Sequence, residues 1–198
     1  MIPTLPIGIL RGTSLVLESF LRWISSGFPG ENRKVTFVEE QQSYSDHPDR
    51  FTNRFQVLSR ESLTGRCYWE VEIRGGWWFG VAVTYKSIRR DGGSEDSGLG
   101  LNDKSWMLDC DTNSYQFYHN SIQTPASGPR SSRVGVYLDH RAGVLSFYSV
   151  SETMNLLHRV QTSFTQPLHA GVRLYYYYGD SAEFMNLRQS EVVSGTLG

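Results

Sequence analysis

In residues 67–73, Cys-Tyr-Trp-Glu-Val-Glu-Ile, apolar and polar side chains alternate without a break. On an extended chain this puts Trp69, Val71 and Ile73 on one face and Tyr68, Glu70 and Glu72 on the other. A helix would scatter the two kinds of residue around its circumference. The run therefore specifies a strand with one dry face, and that face must be covered by another layer.

Further short runs of strand-forming residues continue this pattern at 34–38, 55–58, 77–85, 105–109, 115–119, 133–138, 144–150, 156–160, 169–174 and 182–185. The clearest pair is residues 134–139 and 144–148, joined by His140, Arg141, Ala142 and Gly143, which reads as a hairpin closed by glycine. Many strands at short spacing with turns between them predict an all-β fold, an antiparallel two-sheet sandwich. Residues 91–104 and 120–132 lack apolar periodicity and read as long loops, either binding loops or plain surface. No tandem repeat or low-complexity tract is present.

The first thirty residues differ. Leu10, Leu17, Leu21, Ile24 and Phe28 recur at mostly helical steps, with Thr13 or Ser14 as an N-cap and Gly27 as a stop, before Pro29-Gly30 breaks the pattern. Residues 1–30 are expected to be a helical or disordered leader, residues 31–190 the sandwich, and residues 191–198 a tail. Arg11, Glu18 and Arg22 interrupt the apolar stretch, so it is too short to span a membrane. Its first charge lies inside the apolar segment and not ahead of it, unlike a signal peptide.

Composition narrows the function. Lys+Arg number 19 against Asp+Glu 20, so no bulk positive charge draws the chain to nucleic acid. Aromatic residues make up 13%, enough large side chains to build a core although the hydrophobic fraction is only 39%. Cys67 and Cys110 are the only cysteines, and no Asn-x-Ser/Thr sequon occurs, so a reduced, cytoplasmic setting is expected. Without a CxxC pair or a HExxH or HxH spacing among His47, His119, His140, His158 and His169, no metal site is predicted. The glycines at 98 and 100 resemble a phosphate loop, but Asp103 stands where such a loop needs glycine and would repel the phosphate. No GxSxG elbow occurs, and Cys67 reads as a small buried hydrophobe. The thiolate of Cys110 is disfavoured by Asp109 and Asp111, a pair that itself reads as solvated strand-end charge. No catalytic residue and no cofactor are expected.

The β region as a whole resembles the PRY-SPRY (B30.2-type) family. Glu31-Asn-Arg-Lys-Val-Thr-Phe-Val, Phe55-Gln-Val-Leu and Leu63-Thr-Gly-Arg-Cys-Tyr-Trp-Glu-Val-Glu-Ile look like its PRY half, about 31–75. Trp78-Phe-Gly-Val-Ala, Lys104-Ser-Trp-Met-Leu, Val134-Gly-Val-Tyr-Leu-Asp and Gly143-Val-Leu-Ser-Phe-Tyr look like its SPRY half, about 76–190. The wording around Tyr44, Tyr85-Lys and Leu101-Asn-Asp-Lys-Ser-Trp is similar to the domains that end fish tripartite-motif proteins, NOD-like receptors and stonustoxin-like proteins. The family's PRY half begins with a strand that Leu15-Val-Leu-Glu lies too far upstream to supply, so an edge strand is expected to be missing or replaced.

The resemblance implies a bent sandwich that recognises a protein partner through loops at one end, without catalysis. Any ligase activity of tripartite-motif relatives belongs to a Cys/His-rich RING that these residues do not contain. The implied setting is innate-immune or ubiquitin-linked signalling; the alternatives are a carbohydrate-binding sandwich or a fragment of a stonustoxin-like pore-forming subunit. No nucleic acid, membrane span or small-molecule cofactor is implied. The partner-binding positions are Trp77, Arg89, Arg90, Asp109, Asp111, Tyr115, Tyr176 and Tyr178, with the tyrosine run at 175–178 as the most unusual local sequence. Trp69, Trp78, Trp106 and Phe147 are assigned to the core.

Overall fold

Alternation of wet and dry side chains resolves into thirteen strands in a computed structural model that describes residues 15–16, 34–37, 49–59, 61–76, 78–175 and 180–190. They are β1 (Leu15–Val16), β2 (Lys34–Phe37), β3 (Gln56–Leu58), β4 (Arg66–Arg74), β5 (Phe79–Tyr85), β6 (Ser105–Cys110) and β7 (Tyr115–His119). β8 (Ile122–Ala126), β9 (Arg133–Asp139), β10 (Val144–Val150), β11 (Met154–Gln161), β12 (Leu168–Leu174) and β13 (Ser181–Ser190) complete the series. One sheet has the order β1-β2-β13-β4-β9-β10-β11 and the other β3-β12-β5-β6-β7-β8, and every pairing is antiparallel.

The core lies between the sheets. β4 contributes Cys67, Trp69, Val71 and Ile73, and β10 contributes Leu145 and Phe147. Across the gap stand Phe79, Val81 and Val83 of β5 with Trp106 and Leu108 of β6. Trp69, Trp106 and Phe147 are buried as the alternation requires.

The other face of the six-stranded sheet carries a second, smaller cluster. Phe51, Ile88 and Leu99 pack there on Ala82 and Met107. This explains the long segment after β5: residues 91–104 form a loop with one 3-10 turn, Glu95–Ser97, and the loop is tied down. Asn102 Nδ2 donates to the carbonyls of Glu95, Asp96 and Gly98, while its Oδ1 accepts from Lys104 N and Ser105 Oγ. Gln56 donates to the Ser97 carbonyl and accepts from Leu99 N. Two side-chain amides thus replace hydrogen bonds that a regular element would supply.

Three expectations are corrected. Residues 120–132 are not a bare loop, because they contain β8. Its side chains are mostly exposed on the sheet edge, so no apolar alternation announces it. Leu15 and Val16 are not helical but pair with Phe37 and Thr36, which gives β2 an edge partner after all. The pairing spans a sequence separation that local periodicity does not register. The rest of the proposed helix over residues 10–28 lies outside the described residues. Trp78 is 39% exposed and not core, and the reason is parity: Phe79, Val81 and Val83 face the inter-sheet core, so the residue before Phe79 faces out.

Candidate functional site

Among the described residues the covering loop leaves one end of the outer face of the six-stranded sheet uncovered, and Trp78 stands there, partly exposed. After β4 the chain turns through Gly75, whose φ of +106° suits glycine. The Gly76 N–H then donates to the carboxylate of Asp180, which is 3% exposed. A Cβ at either glycine would strike the Asp180 side chain. Asp180, one residue before β13, therefore fixes the turn that delivers Trp78 to the start of β5.

The rest of the cluster comes from neighbouring strands by register. Arg173 of β12 lies across from Gly80 of β5, Gly80 across from Asp109 of β6, and Asp109 across from Gln116 of β7. The Trp78 indole stacks on Tyr175, with ring centres 4.3 Å apart and planes 14° apart. Its Nε1–H donates to Asp109 Oδ2 at 3.2 Å. The Tyr175 hydroxyl stabilises the charged form of the same carboxylate, and the Arg173 guanidinium lies 4.6 Å from the centre of the Tyr175 ring.

Asp109 is 8% exposed, and burial pushes its carboxyl above the usual range against the opposing pull of Tyr175, Trp78 and Arg173. The Tyr175 hydroxyl is raised by burial and by the negative charge of Asp109. Among the described residues three buried acceptor oxygens accept no hydrogen bond: Glu70 Oε2, Asp109 Oδ1 and Gln116 Oε1. The first is ion-paired with Arg133 at 3.5 Å, and the other two belong to directly opposed residues.

The predicted site residues are distributed unevenly. Asp109 belongs to this cluster, but as a buried group and not the solvated strand-end charge expected of it. The carboxylate reads as surface until Trp78 and Tyr175 of other strands close over it. Asp111 follows β6 in a tight turn, its backbone N–H donating to Ser114 O and its carboxylate accepting from Thr112. Tyr115 is 2% exposed and packs in the core, with its hydroxyl donating to Pro129 O. That is a correction, for its parity on β7 turns its ring inward. Arg89 is exposed and ion-paired with Asp91 at 2.9 Å, which raises its pKa. Arg90 lies 4.5 Å over the Phe51 ring, donates to Lys86 O, and is lowered by burial. Trp77, Tyr176 and Tyr178 lie outside the described residues.

Sequence reasoning missed Trp78, Arg173 and Gln116. Parity was the available signal, since counting outward from Phe79, Leu174 and Phe117 places all three on the outer face.

Other chemistry is sparse. Among the described residues no three His, Cys, Asp or Glu side chains gather as a metal site. An open cleft is lined by Glu61, Ser62, Lys86, Gln166, Pro167 and His169, with His169 Nδ1 bonded to Ser59 O. No helix among the described residues is long and apolar enough to cross a membrane. Cys67 and Cys110 are both buried, and burial is the main reason each thiol is raised, with Asp109 adding to it at Cys110. Neither thiol should react with Ellman's reagent in the native protein, and both should react once it is denatured. Native labelling of either would contradict this packing.

Fold and site together define a class: an antiparallel β-sandwich that carries an aromatic and charged cluster at one end of one outer face. The chain belongs to the SPRY-domain family, with the SPRY domain matching residues 66–189 and the SPRY-associated domain, PRY, matching residues 30–63. Such domains, as in tripartite-motif proteins, are interaction modules and not enzymes.

Stonustoxin subunit beta of Synanceia horrida is 37% identical over 160 residues, covering 79% of this chain and 22% of the toxin subunit. The stonustoxin structure superposes with a TM-score of 0.72 at 29% identity, over 87% of this chain and 28% of that one. Tripartite motif-containing protein 16 of Mus musculus is 36% identical over 143 residues, 71% of this chain and 26% of that protein. The crystal structure of the TRIM65 PSpry domain shares the fold with a TM-score of 0.71 at 23% identity, over 89% of this chain and 90% of that domain. The chain thus spans about a quarter of the length of these curated relatives.

Proposed function

We propose that this chain is a non-catalytic recognition module that captures a protein partner on the outer face around Trp78, in a cytoplasmic innate-immune or ubiquitin-linked pathway. The observation that carries this reading is an exposed tryptophan locked in place, with Tyr175 stacked on it and its N–H held by Asp109. Interface energy concentrates in a few aromatic and arginine anchors, and an anchor fixed before binding loses little entropy on complex formation. Trp77, Tyr176 and Tyr178 adjoin Trp78 and Tyr175 in sequence and are proposed to extend the same surface, together with Asp111. Arg89 and Arg90 are proposed as its outlying charged contacts.

A photoreactive amino acid tests this directly. Placed at Asn113, in the exposed turn after β6, it should crosslink a protein partner in cells. Placed at Arg141, exposed in the turn between β9 and β10 at the other end of the sandwich, it should not. Equal yields at the two sites, or a preference for Arg141, would sink the assignment.

A second reading is favoured by the 37% identity to stonustoxin subunit beta: the domain is a piece of a stonustoxin-like subunit. The two readings differ in the longer protein that carries the domain. Lysis of lipid vesicles by that protein would support the second.

A further inference from the structure

The Trp78 surface has a definite chemical preference. Asp109 Oδ1 and Gln116 Oε1 both accept no hydrogen bond, and the two residues face each other directly across the β6–β7 ladder. Both oxygens are shielded from solvent, and opposed side chains in such a ladder start about 5 Å apart, so one ligand group carrying several donors serves both once Gln116 turns outward. A buried carboxylate oxygen without a donor is costly, so a group that supplies one is bound strongly.

β6 and β7 bring charge of one sign to this side. The outward residues of β6 and β7 are Ser105, Met107, Asp109, Gln116 and Tyr118, and Asp111 follows in the turn, so these two strands and Asp111 bring two carboxylates and no base of their own to this face. The nearest base comes from β12: Arg173 lies across Gly80 from Asp109 and pulls on its carboxyl. Arg173 is over Tyr175, and Arg54 donates to the carbonyls of Gly93 and Ser94. An acidic ligand group would meet Asp109 and Asp111, and a purely apolar ring would leave both orphan oxygens without donors.

We infer that the partner anchors itself with an arginine side chain, whose guanidinium donates to Asp109 Oδ1 and Gln116 Oε1 while its plane rests on the exposed face of Trp78. This deepens the proposed function and rests on it. Guanidinium is preferred to ammonium because it is planar, stacks on indole, and carries parallel donors that serve two acceptors at once. Tyr175 and Arg173 already make the same kind of contact within the chain. Gln116 is only partly buried, and its carbonyl oxygen makes no bond that has to break for it to rotate aside.

The test uses the whole chain and four capped amino acids as probes: the N-acetyl amides of arginine, lysine, glutamate and phenylalanine. Each is titrated while the Trp78 indole N–H resonance, assigned with Trp78→Phe, is followed by NMR. The arginine probe should shift it saturably and bind at least about threefold more tightly than lysine, with glutamate and phenylalanine weaker still. Asp109→Asn should weaken the arginine probe by about tenfold or more and leave the fold intact, because it removes a buried charge. Gln116→Ala, which removes one acceptor at a partly exposed position, should weaken it by a smaller factor.

No shift with arginine, an equal shift in Asp109→Asn, or a preference for glutamate would each overturn the assignment. If crosslinking at Asn113 nevertheless captures a protein, only the arginine assignment fails. If both experiments fail, the surface is not the docking site.

Discussion

Gly143→Ala should unfold the domain at markedly lower denaturant, with a loss of about 3 kcal/mol or more. Two effects add. Gly143 sits at φ +71°, where an L side chain costs about 1–2 kcal/mol. Its Cβ would also collide with the backbone carbonyl oxygen of Thr162, and backbone cannot rotate out of the way. The Gly143 carbonyl accepts from Thr162 N at 2.9 Å, so relieving the collision means giving up that bond. The neighbouring turn is knitted on both sides: Asp139 accepts from Ala142 N and from Arg66 Nε, and Gln161 donates to Ala142 O. Strain at Gly143 therefore reaches β4, β9, β10 and β11 together. Urea unfolding followed by fluorescence measures the loss, which corresponds to a fall in Tm of roughly 6–12 °C for a domain of this size. The exposed neighbour Arg141→Ala should stay within about 0.5 kcal/mol of the parent. A Gly143→Ala variant as stable as Arg141→Ala would mean that this turn is not built as described.

The same hairpin shows what the residues disclose by themselves. Val134 to Asp139 and Val144 to Tyr148 alternate, the glycine closes the turn, and the structure pairs Val144 with Asp139. Cys67, Trp69, Val71 and Ile73 are likewise buried as their spacing demands. What stayed hidden was everything set by a distant strand. β8 is polar because it lies at an edge, and β1 acquires strand character only by meeting Phe37 and Thr36. Trp78 looks like core because it is large and adjoins strand residues, yet side is decided by the frame that Phe79 sets. Asp109 looks wet because it is charged, and it is dry because Tyr175 and Trp78 close over it. Local pattern reads which residues alternate, but it does not read which of two aromatic neighbours is turned out or which carboxylate is enclosed. The Trp78 cluster is made of just such residues, so the fold was more legible than the candidate site.

Trp78→Ala should abolish partner capture, with a loss of about 2 kcal/mol or more, or roughly thirtyfold in affinity. The indole does three things here. Its open face is the proposed contact area, its stacked face holds Tyr175, and its N–H donates to the Asp109 carboxylate. Removing it takes away the contact and loosens the two groups that flank it. Stability should suffer less, by about 1–2 kcal/mol, because the ring lies outside the inter-sheet core and chiefly the stacking with Tyr175 is lost. Trp78→Phe separates the contributions, since it keeps a ring on Tyr175 but no longer donates to Asp109, and it should retain part of the binding. Ile122→Ala is the control: Ile122 is 66% exposed, more than Trp78, but it stands at the edge on β8 without a locked partner. If exposure of an apolar side chain were enough, Ile122→Ala would weaken capture as much as Trp78→Ala. Since the proposed anchor rests on preorganisation by Tyr175 and Asp109, capture by the Ile122 variant should match the parent, and equal losses would remove Trp78 from the proposed binding site.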